Sequence, residues 1–343
     1  MVKASIIILN YNGKKFLKEC FNSLKKQSYK DFEIIFVDNA SKGDDVAHAK
    51  TFLKNFKNQK IIVNEKNLGF SEGNNRAYKE AKGNYVILLN NDTILHKDWL
   101  KNLIKKAESD NKIAIVGSIS APFSDKMKNV SMGKYPPSTL GITGADILTD
   151  KDKTAYIDGA SMLIRKEHFK NLFDPEYFAY AEDAYISWKA NIKGYKILYT
   201  DSRYLHYGSG TSSKMSGFAT YFVERNMLTN FLIFYEKQTL MKIIPLIILS
   251  RKIKFLSKLM QLDFSGMFAL VKADLWVSFH LPRMLRKRKI IQKQRKVSDL
   301  EILKRMSYKL FRDDNSFIAK VSNKISQIYC KILNIKTIEN EGR

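Results

Sequence analysis

The stretch NYVILLNND, residues 84–92, decides the prediction of the fold. Residues 85–89 are apolar or aromatic without interruption, which is typical of a strand buried on both faces. Polar side chains follow directly, and the last of them, Asp92, is a carboxylate. In an open parallel sheet the ligand crevice lies just beyond the carboxyl ends of the strands. Asp92 is therefore a candidate for holding a divalent cation against a phosphate, because Mg²⁺ and Mn²⁺ favour oxygen ligands.

A simpler interpretation of Asp92 stays open on these residues alone. Asp92 and Thr93 precede a helix predicted over residues 97–108. Asp is a common residue at the N-terminal cap of a helix, so Asp92 could serve the helix and bind nothing.

Strands and helices alternate along the first 116 residues. Apolar runs predict strands over residues 5–9, 33–37, 60–64, 85–89 and 113–116. Helical spacing predicts helices over residues 14–26, 44–56, 72–82 (capped by Ser71) and 97–108. This alternation predicts an α/β fold, a Rossmann-like and mostly parallel sheet with right-handed crossovers.

Polar residues follow three of these strands. Asn10 ends the first, Asp38 the second, and residues 90–92 the fourth. The carboxyl ends of parallel strands meet at one edge, so we expect these side chains on one rim, the ligand side of the sheet.

The pattern is weaker beyond this point. Residues 118–156 are rich in Gly and Pro and predict irregular loops or short strands. A strand-like stretch over residues 156–165, a helix over residues 182–192 and a strand over residues 196–200 follow.

The C-terminal part, residues 236–343, is strongly basic. Residues 283–296 contain eight Lys or Arg and no acid. Apolar side chains accompany these charges at helical spacing: Ile253, Leu256, Leu259, Met260, Phe264, Met267, Phe268 and Leu270. The combination predicts helices lying on an anionic membrane surface. Ordinary packed helices with a solvated basic face are the alternative.

Composition restricts the partners and the compartment. The formal net charge of +25 over 343 residues indicates a polyanionic partner. No nucleic-acid motif is present, and we expect no nucleic-acid partner. Cys20 and Cys330 are too far apart in the chain for a recognisable zinc or disulfide pattern, which fits a reducing compartment. The N-terminus lacks a signal-peptide pattern, and the apolar run over residues 243–249 is shorter than the about twenty residues that cross a bilayer. We therefore expect a cytoplasmic protein, peripheral on the inner face of the cell membrane.

Seven motifs in order resemble those of the family-2 glycosyltransferases, and within them the rhamnosyltransferase-like or galactofuranosyltransferase-like members. They are SIIILNYN (5–12), VDNAS (37–41), NLGFSEGNNR (67–76), LLNNDT (88–93), DGASMLIR (158–165), FDPEYFAYAED (173–183) and HYGSGTSS (206–213). The resemblance covers about the first 235 residues. It implies a catalytic domain over residues 1–235 with the GT-A fold, and an inverting enzyme that uses a nucleotide-diphosphate sugar donor and a divalent metal.

The resemblance also assigns nucleotide-sugar-binding residues. Asp38 corresponds to the carboxylate that contacts the base, and Asn10 and Asn12 to the turn that contacts the nucleoside. Asn67, Gly69 and Asn75 lie where the family closes around the nucleotide. A simple turn at Gly69 and a capping network at Asn75 are the alternatives.

The metal would lie between two motifs. Asp92 corresponds to the last residue of the family's Asp-x-Asp motif, in which Asn90 takes the first position and Asn91 the middle one. His206 would supply a second ligand to Mg²⁺ or Mn²⁺ through a ring nitrogen. A histidine packed after a strand is the alternative.

The catalytic base would be Asp183, next to Glu182 at a helix start. Two acids that cap this helix are the alternative. Tyr185 stands where the family often has a further Asp, which affects the choice of sugar or acceptor.

Three further positions are less specific. Gly159 and Ala160 could leave room for the acceptor beside the sugar. Arg225 would pair with the diphosphate, or with an acid on a neighbouring helix.

Together these features favour a glycosyltransferase that moves rhamnose or a similar sugar from a dTDP- or UDP-sugar to a glycan or lipid-linked glycan in cell-surface polysaccharide biosynthesis. The alternative is a non-catalytic membrane-surface or scaffold module on a decayed transferase fold. A nucleotidyltransferase and a processive synthase are disfavoured, because a Gly-rich signature with Lys and a Gln-x-x-Arg-Trp motif are missing. The sequence does not indicate an oligomeric state.

Overall fold

The computed structural model describes residues 2–122, 137–150, 152–208, 216–312 and 315–340. The chain forms two compact units. The first comprises Met1–Pro136, Ile157–Glu182 and Lys196–Lys214, and the second comprises Pro137–Tyr156, Asp183–Tyr195 and Met215–Arg343. The functional boundary proposed after residue 235 stays a prediction.

The first unit is built on a mostly parallel sheet of eight strands, which confirms the predicted α/β class. Its strands are β1 (Ala4–Asn10), β2 (Phe32–Asp38), β3 (Gln59–Val63), β4 (Tyr85–Asn90), β5 (Thr93–Leu95), β6 (Ile113–Pro122), β9 (Ser161–Arg165) and β10 (Lys196–His206). Their order is β3-β2-β1-β4-β9-β6-β10-β5. Strands β1 to β4 are mutually parallel, β9 is antiparallel to β4 and β6, and β5 is antiparallel to β10.

Helices connect the parallel strands as expected. They are α1 (Lys14–Lys25), α2 (Asp45–Leu53), α3 (Gly69–Glu80) and α4 (Trp99–Glu108). Short 3₁₀ turns follow at Lys166–His168 and Pro175–Tyr177. Helix α1 buries one apolar face, which includes Phe16, Leu17, Cys20 and Leu24.

Trp99 fastens α4 to the sheet. Its side chain is fully buried, and its indole N–H lies 3.0 Å from the Ser118 hydroxyl on β6 and 2.9 Å from the Ser161 hydroxyl on β9. Ser161 also donates to Ser118 at 2.9 Å. One indole therefore links three elements inside an otherwise apolar core.

Two local predictions are wrong. Helix α3 begins at Gly69, so Ser71 lies within its first turn and does not cap it. Helix α4 begins at Trp99, and the short strand β5 separates it from Asp92. Because β5 intervenes, Asp92 is not the N-terminal cap of that helix.

The second unit is mainly helical, as predicted for the basic C-terminal part. It contains the hairpin β7 (Ser138–Leu140) and β8 (Asp146–Leu148) and the helices α5 (Glu182–Ile192, apart from its first residue), α6 (Ser216–Phe234), α7 (Lys237–Met260), α8 (Phe264–Phe279), α9 (Leu281–Gln292), α10 (Asp299–Leu303) and α11 (Phe317–Ile332). Trp188 of α5 is buried and stacks on Phe234 at 5.6 Å, so it is a core residue. Among the residues with described positions, no helix is long and apolar enough to cross a membrane.

Replacing Trp99 with Phe tests this core. The change removes the indole donor and leaves a small void, so the free energy of unfolding should fall by about 1–3 kcal/mol in urea titrations. Adding Ser118→Ala and Ser161→Ala should cost less on the Trp99→Phe background than on wild type, because their hydroxyls have then lost that donor. Strictly additive costs would contradict a shared hydrogen-bond network.

Candidate active site

The polar ends of three strands meet at one edge of the sheet, as predicted. In the strand register Asn10 pairs with Asp38, and Leu9 pairs with Asn90. Asn10, Asp38 and residues 90–92 therefore lie on the same rim of the first unit.

Asn10 holds this rim together. Its amide nitrogen lies 3.0 Å from the carboxylates of both Asp38 and Asp45, and its amide oxygen accepts from the Asn91 side chain at 2.7 Å. Asp45 also accepts from the backbone N–H of Lys14 at 2.9 Å. Through its three contacts with Asp38, Asp45 and Asn91, Asn10 fixes the chain after β1, β2 and β4 relative to one another.

The Asp38 carboxylate is buried and well satisfied. One oxygen accepts from Asn10 and from the Ser41 hydroxyl at 2.7 Å, and the other accepts from the Ser41 backbone N–H at 2.9 Å. Ser41 in turn accepts from the backbone N–H of Asn12, whose φ is +52°. These contacts form a rigid turn at the end of β2, and the base-contacting role of Asp38 stays a prediction.

Asp92 and His206 lie side by side, more than a hundred residues apart in the chain. The His206 Nε2 atom is 3.2 Å from the Asp92 carboxylate. Antiparallel pairing of Thr93 with His206 brings them together, and the Tyr207 backbone N–H donates to the Asp92 carbonyl at 3.1 Å. The Asn90 amide nitrogen is 3.4 Å from the same imidazole nitrogen. The sequence predicted a strand only to residue 200, but β10 continues to His206 and makes this contact possible.

The electrostatics of the pair favour a positive charge at this place. Burial alone would lower the pKa of His206, but the hydrogen bond to Asp92 and the charges of Asp92 and Asp158 outweigh it and raise that pKa. The Asp92 carboxylate attracts a positive charge, which either a protonated His206 or a metal ion can supply. This part of the rim therefore favours a cation.

The donor set fits a divalent cation. Asp92 offers carboxylate oxygens and His206 a ring nitrogen, and both are accepted by Mg²⁺ or Mn²⁺. Over the described ranges, no group of three His, Cys, Asp or Glu could hold a metal ion. Metal binding by Asp92 and His206 stays a prediction.

The loop before α3 is built around Gly69. Its φ is +75°, and a Cβ there would lie 2.3 Å from the carbonyl oxygen of Phe178. Asn67 accepts from the Gly69 backbone N–H at 2.8 Å, and the Ser71 N–H donates to the same Phe178 carbonyl at 3.1 Å. Only Gly suits this position, because its φ is positive and because the backbone of Phe178 approaches it closely.

Asn75 ties α3 to the segment that leads to Glu182. Its amide nitrogen donates to the Phe173 carbonyl at 3.0 Å, and its oxygen accepts from the Phe173 N–H at 3.1 Å. It also donates to Glu72 at 3.1 Å, so its amide serves the fold.

The backbone of this segment is strained. Phe178 has φ +59° and ψ −65°, and the Ala179 N–H donates to the Tyr177 carbonyl at 2.6 Å, which is the strained form of the γ-turn. Tyr180 and Ala181 also have positive φ. Strain of this kind concentrates at functional segments, which supports a role for the acids that follow.

Gly159 and Ala160 directly precede β9, and Ala160 is bonded to the end of β4. The Asn90 backbone N–H donates to the Ala160 carbonyl at 2.9 Å. Asp158 accepts from the Ala160 N–H and from the Tyr204 hydroxyl, both at 3.2 Å. The place of Gly159 and Ala160 beside the acceptor stays a prediction.

Asp183 and Arg225 belong to the second unit, whereas Glu182 is the last residue of the first. One Asp183 oxygen accepts from the Tyr156 hydroxyl at 2.8 Å, and the other from the Ala184 N–H at 2.8 Å. Arg225 is buried with its guanidinium 4.6 Å from the ring centroids of both Phe222 and Trp276. The catalytic role of Asp183 and the diphosphate contact of Arg225 stay predictions.

The model of the family described as glycosyl transferase family 2 matches residues 5–173. The chain belongs to glycosyl transferase family 2. The predicted membership is confirmed, whereas the rhamnosyltransferase-like branch stays a prediction.

Relatives and solved structures agree with this membership. The poly(ribitol-phosphate) beta-N-acetylglucosaminyltransferase TarS of Staphylococcus aureus is 25% identical over 214 residues, which are 61% of this chain and 36% of TarS. The chain thus spans about a third of the length of this relative. The crystal structure of S. aureus TarS 1–349 with UDP has a TM-score of 0.53 at 20% identity and covers 85% of this chain and 89% of that one. The mannosyltransferase PcManGT from Pyrobaculum calidifontis, in complex with GDP-Man and Mn²⁺, has a TM-score of 0.52 at 15% identity. The match covers 82% of this chain and 75% of PcManGT. These likenesses confirm the GT-A fold.

Sequence reasoning missed several residues that shape this family-2 site. Asp45 and Ser41 hold Asn10 and Asp38, and Asn39 connects the β2 end to Asn67 at 2.9 Å and to the Gly69 carbonyl at 3.0 Å. Tyr156 contacts Asp183. Ser41 and Asn39 lie inside a quoted motif, but nothing in their spacing indicates their partners. Residues 209–213 of the last motif lie outside the described residues.

A Gly69→Ala substitution tests the close approach at Phe178, and Gly208→Ala is its matched control. Gly208 also has positive φ, +65°, but no atom of the described part of the chain lies within 4 Å of a Cβ there. Gly208→Ala should cost about 1–2 kcal/mol of unfolding free energy through backbone strain alone. Gly69→Ala should cost at least about 1 kcal/mol more, because the Phe178 carbonyl must move. Equal costs in chemical denaturation would mean that the loop does not pack as described.

Proposed function

We propose that this protein is an inverting glycosyltransferase. It moves rhamnose or a similar sugar from a dTDP- or UDP-sugar to a hydroxyl of a glycan or lipid-linked glycan, in cell-surface polysaccharide biosynthesis. The observation that carries the proposal is the 3.2 Å contact of Asp92 with His206 on the rim where β1, β2 and β4 end. The name of TarS, a transferase onto poly(ribitol-phosphate), supports a polymeric acceptor.

Asp92 and His206 would hold a Mg²⁺ or Mn²⁺ ion. When bound, the ion neutralises the charge that develops on the departing diphosphate. The Mn²⁺ in the PcManGT complex supports this choice of cofactor. Asn90, 3.4 Å from His206, would orient the imidazole or contact the sugar, and Asn91 keeps the loop in place through Asn10.

The nucleoside would bind at the ends of β1 and β2. Asn10, Asn12 and Asp38 shape this part of the rim, and the Asn67–Gly69 loop covers it from the side of α3. UDP in the TarS structure and GDP-mannose in PcManGT support a nucleoside-diphosphate donor. The side chains of this rim hydrogen-bond mainly to one another, so they would present a rigid surface to the nucleotide.

Asp183 would act as the general base. In a single displacement the acceptor oxygen bonds to the anomeric carbon as the bond from that carbon to the diphosphate oxygen breaks. The hydroxyl proton goes to the Asp183 carboxylate. The Tyr156 hydroxyl fixes the orientation of this carboxylate at 2.8 Å. Glu182, one residue earlier, would orient the sugar or the loop before α5.

The remaining assignments concern the acceptor and the surroundings. Gly159 and Ala160 would give space to the acceptor, and Arg225 would approach the diphosphate. The enzyme would work in the cytoplasm, peripheral on the inner face of the membrane, where a lipid-linked acceptor and an anionic surface are both present.

A non-catalytic membrane-surface module on a decayed fold is the second candidate function. It predicts weak or absent nucleotide binding and no sugar transfer. The close pairing of Asp92 with His206 and the strained segment before Glu182 favour the enzyme, because an inactive module has no need of either.

Release of nucleoside diphosphate from a panel of dTDP- and UDP-sugars, with Mg²⁺ or Mn²⁺, tests the proposal. The panel is first ranked by the thermal shift of the wild-type protein. Asp92→Ala should reduce kcat/KM by about 100-fold or more, because the cation loses its carboxylate. Asp183→Asn should lower kcat by about 100-fold or more while the KM for the donor changes little.

The exposed Asp31→Asn is the control and should retain wild-type turnover. If Asp92→Ala and Asp183→Asn both kept turnover near wild type, the proposed mechanism would be wrong. If no donor produced a metal-dependent thermal shift or product, the non-catalytic module would be favoured.

A further inference from the structure

The turn between α7 and α8 exposes a group of large apolar side chains. Six of them, within thirteen residues, are between 42 and 73% exposed: Leu256, Leu259, Met260, Leu262, Phe264 and Phe268. We call these six residues the apolar tip. Leu270, whose spacing also suggested a membrane face, is buried inside the second unit. Soluble surfaces rarely place so many apolar side chains together in water.

Leu262 occupies a backbone position that normally excludes it. Its φ is +54°, its N–H donates to the Leu259 carbonyl at 3.0 Å, and the Asp263 N–H donates to the Lys258 carbonyl at 2.9 Å. This is a Schellman cap, in which the left-handed residue is usually Gly and sometimes Asn.

The Schellman cap at the C-terminal end of α11 has Asn, a residue commonly found in the left-handed conformation, at the corresponding position. Asn334 has φ +52° there, and the Asn334 and Ile335 N–H groups donate to the Lys331 and Cys330 carbonyls. A Leu in this conformation carries a backbone cost and also leaves its side chain in water. The geometry of the turn does not require Leu at this position, so the exposed side chain is a candidate for binding.

The charges around the apolar tip are one-sided. Residues 237–292 contain twelve Lys or Arg and only two acids, Asp263 and Asp274. Both acids are paired at 2.7 Å, Asp263 with Lys258 and Asp274 with Arg251. Lys252 and Lys272 are exposed on the two helices that carry the tip. An apolar projection on a basic surface is complementary to an anionic lipid interface.

We propose that the apolar tip inserts into the interface of an anionic membrane while the exposed lysines of α7 and α8 contact the lipid headgroups. A second copy of the chain is the less suitable partner, because two such surfaces would bring like charges together. The inference rests on the membrane location given in the proposed function, and its test needs neither donor nor turnover. A failed vesicle test would therefore remove the membrane location and leave the sugar transfer untouched, and a failed transfer assay would leave the docking surface untouched.

Co-sedimentation of the full chain with vesicles tests the proposal. The vesicles are phosphatidylcholine alone, or phosphatidylcholine with phosphatidylglycerol. Wild-type protein should pellet with the anionic vesicles and lose binding as salt rises. Phe264→Ser with Phe268→Ser should weaken binding about tenfold or more, because two inserted rings are lost. Val63→Ser, an exposed apolar change in the first unit, is the matched control and should bind like wild type.

Two further variants separate charge and folding from insertion. Lys252→Glu with Lys272→Glu should weaken binding about tenfold or more, whereas the exposed Lys57→Glu should have little effect. Leu262→Gly relieves the left-handed strain, so its Tm should equal or exceed that of wild type while its vesicle binding falls several-fold. This variant keeps the test valid even if the Phe variants fold poorly.

Three results would overturn the proposal. The first is equal binding to neutral and anionic vesicles. The second is unchanged binding of the Phe264→Ser and Phe268→Ser double variant. The third is a dimer in size-exclusion chromatography with light scattering that the same double variant abolishes, which would make a second copy the occupant of the tip.

Discussion

The candidate site depends on the antiparallel pairing of β5 with β10. Three residue pairs form this contact: Thr93 with His206, Ile94 with Leu205 and Leu95 with Tyr204. They bring the imidazole of His206 to the carboxylate of Asp92, although the two residues are more than a hundred positions apart. Side chains alternate between the two faces of a strand, so a slip of one residue would turn His206 away. The register of β10 against β6 shifts between Tyr199 and Arg203, before the strand reaches β5.

The rest of the rim is rigid because its polar groups bind one another. Asn10 connects the ends of three strands through Asp38, Asp45 and Asn91. Pre-formed arrangements of this kind lose little entropy when a ligand binds, and they place charged groups without reorganisation at the moment of reaction. The strained backbone at Phe178 is held in the same way, by contacts of its carbonyl with Ser71 and the closeness of Gly69.

The sequence allowed the sheet and its functional rim to be predicted, because long apolar runs and the polar residues after them are strong local signals. It did not allow β5 to be predicted, since three residues are too few for a pattern and their stability comes from β10. The start of α3 was misplaced because the positive φ of Gly69 is set by a distant backbone, whereas Ser71 looked like an ordinary cap. Spacing alone could not bring His206 to Asp92, and the expectation that they meet came from the resemblance. Tyr156 could not be connected with Asp183, because the contact is tertiary and has no local signature.

We propose that Asp92 and His206 share one cation that also binds the diphosphate. Pulsed electron paramagnetic resonance of Mn²⁺ added to the protein with UDP or dTDP tests it most directly. In the wild type we expect spin-echo modulation from a directly bound imidazole nitrogen. This modulation should be lost in His206→Asn, and Mn²⁺ should bind more weakly to Asp92→Ala. Mn²⁺ bound together with the nucleotide but without any nitrogen coupling in the wild type would contradict it.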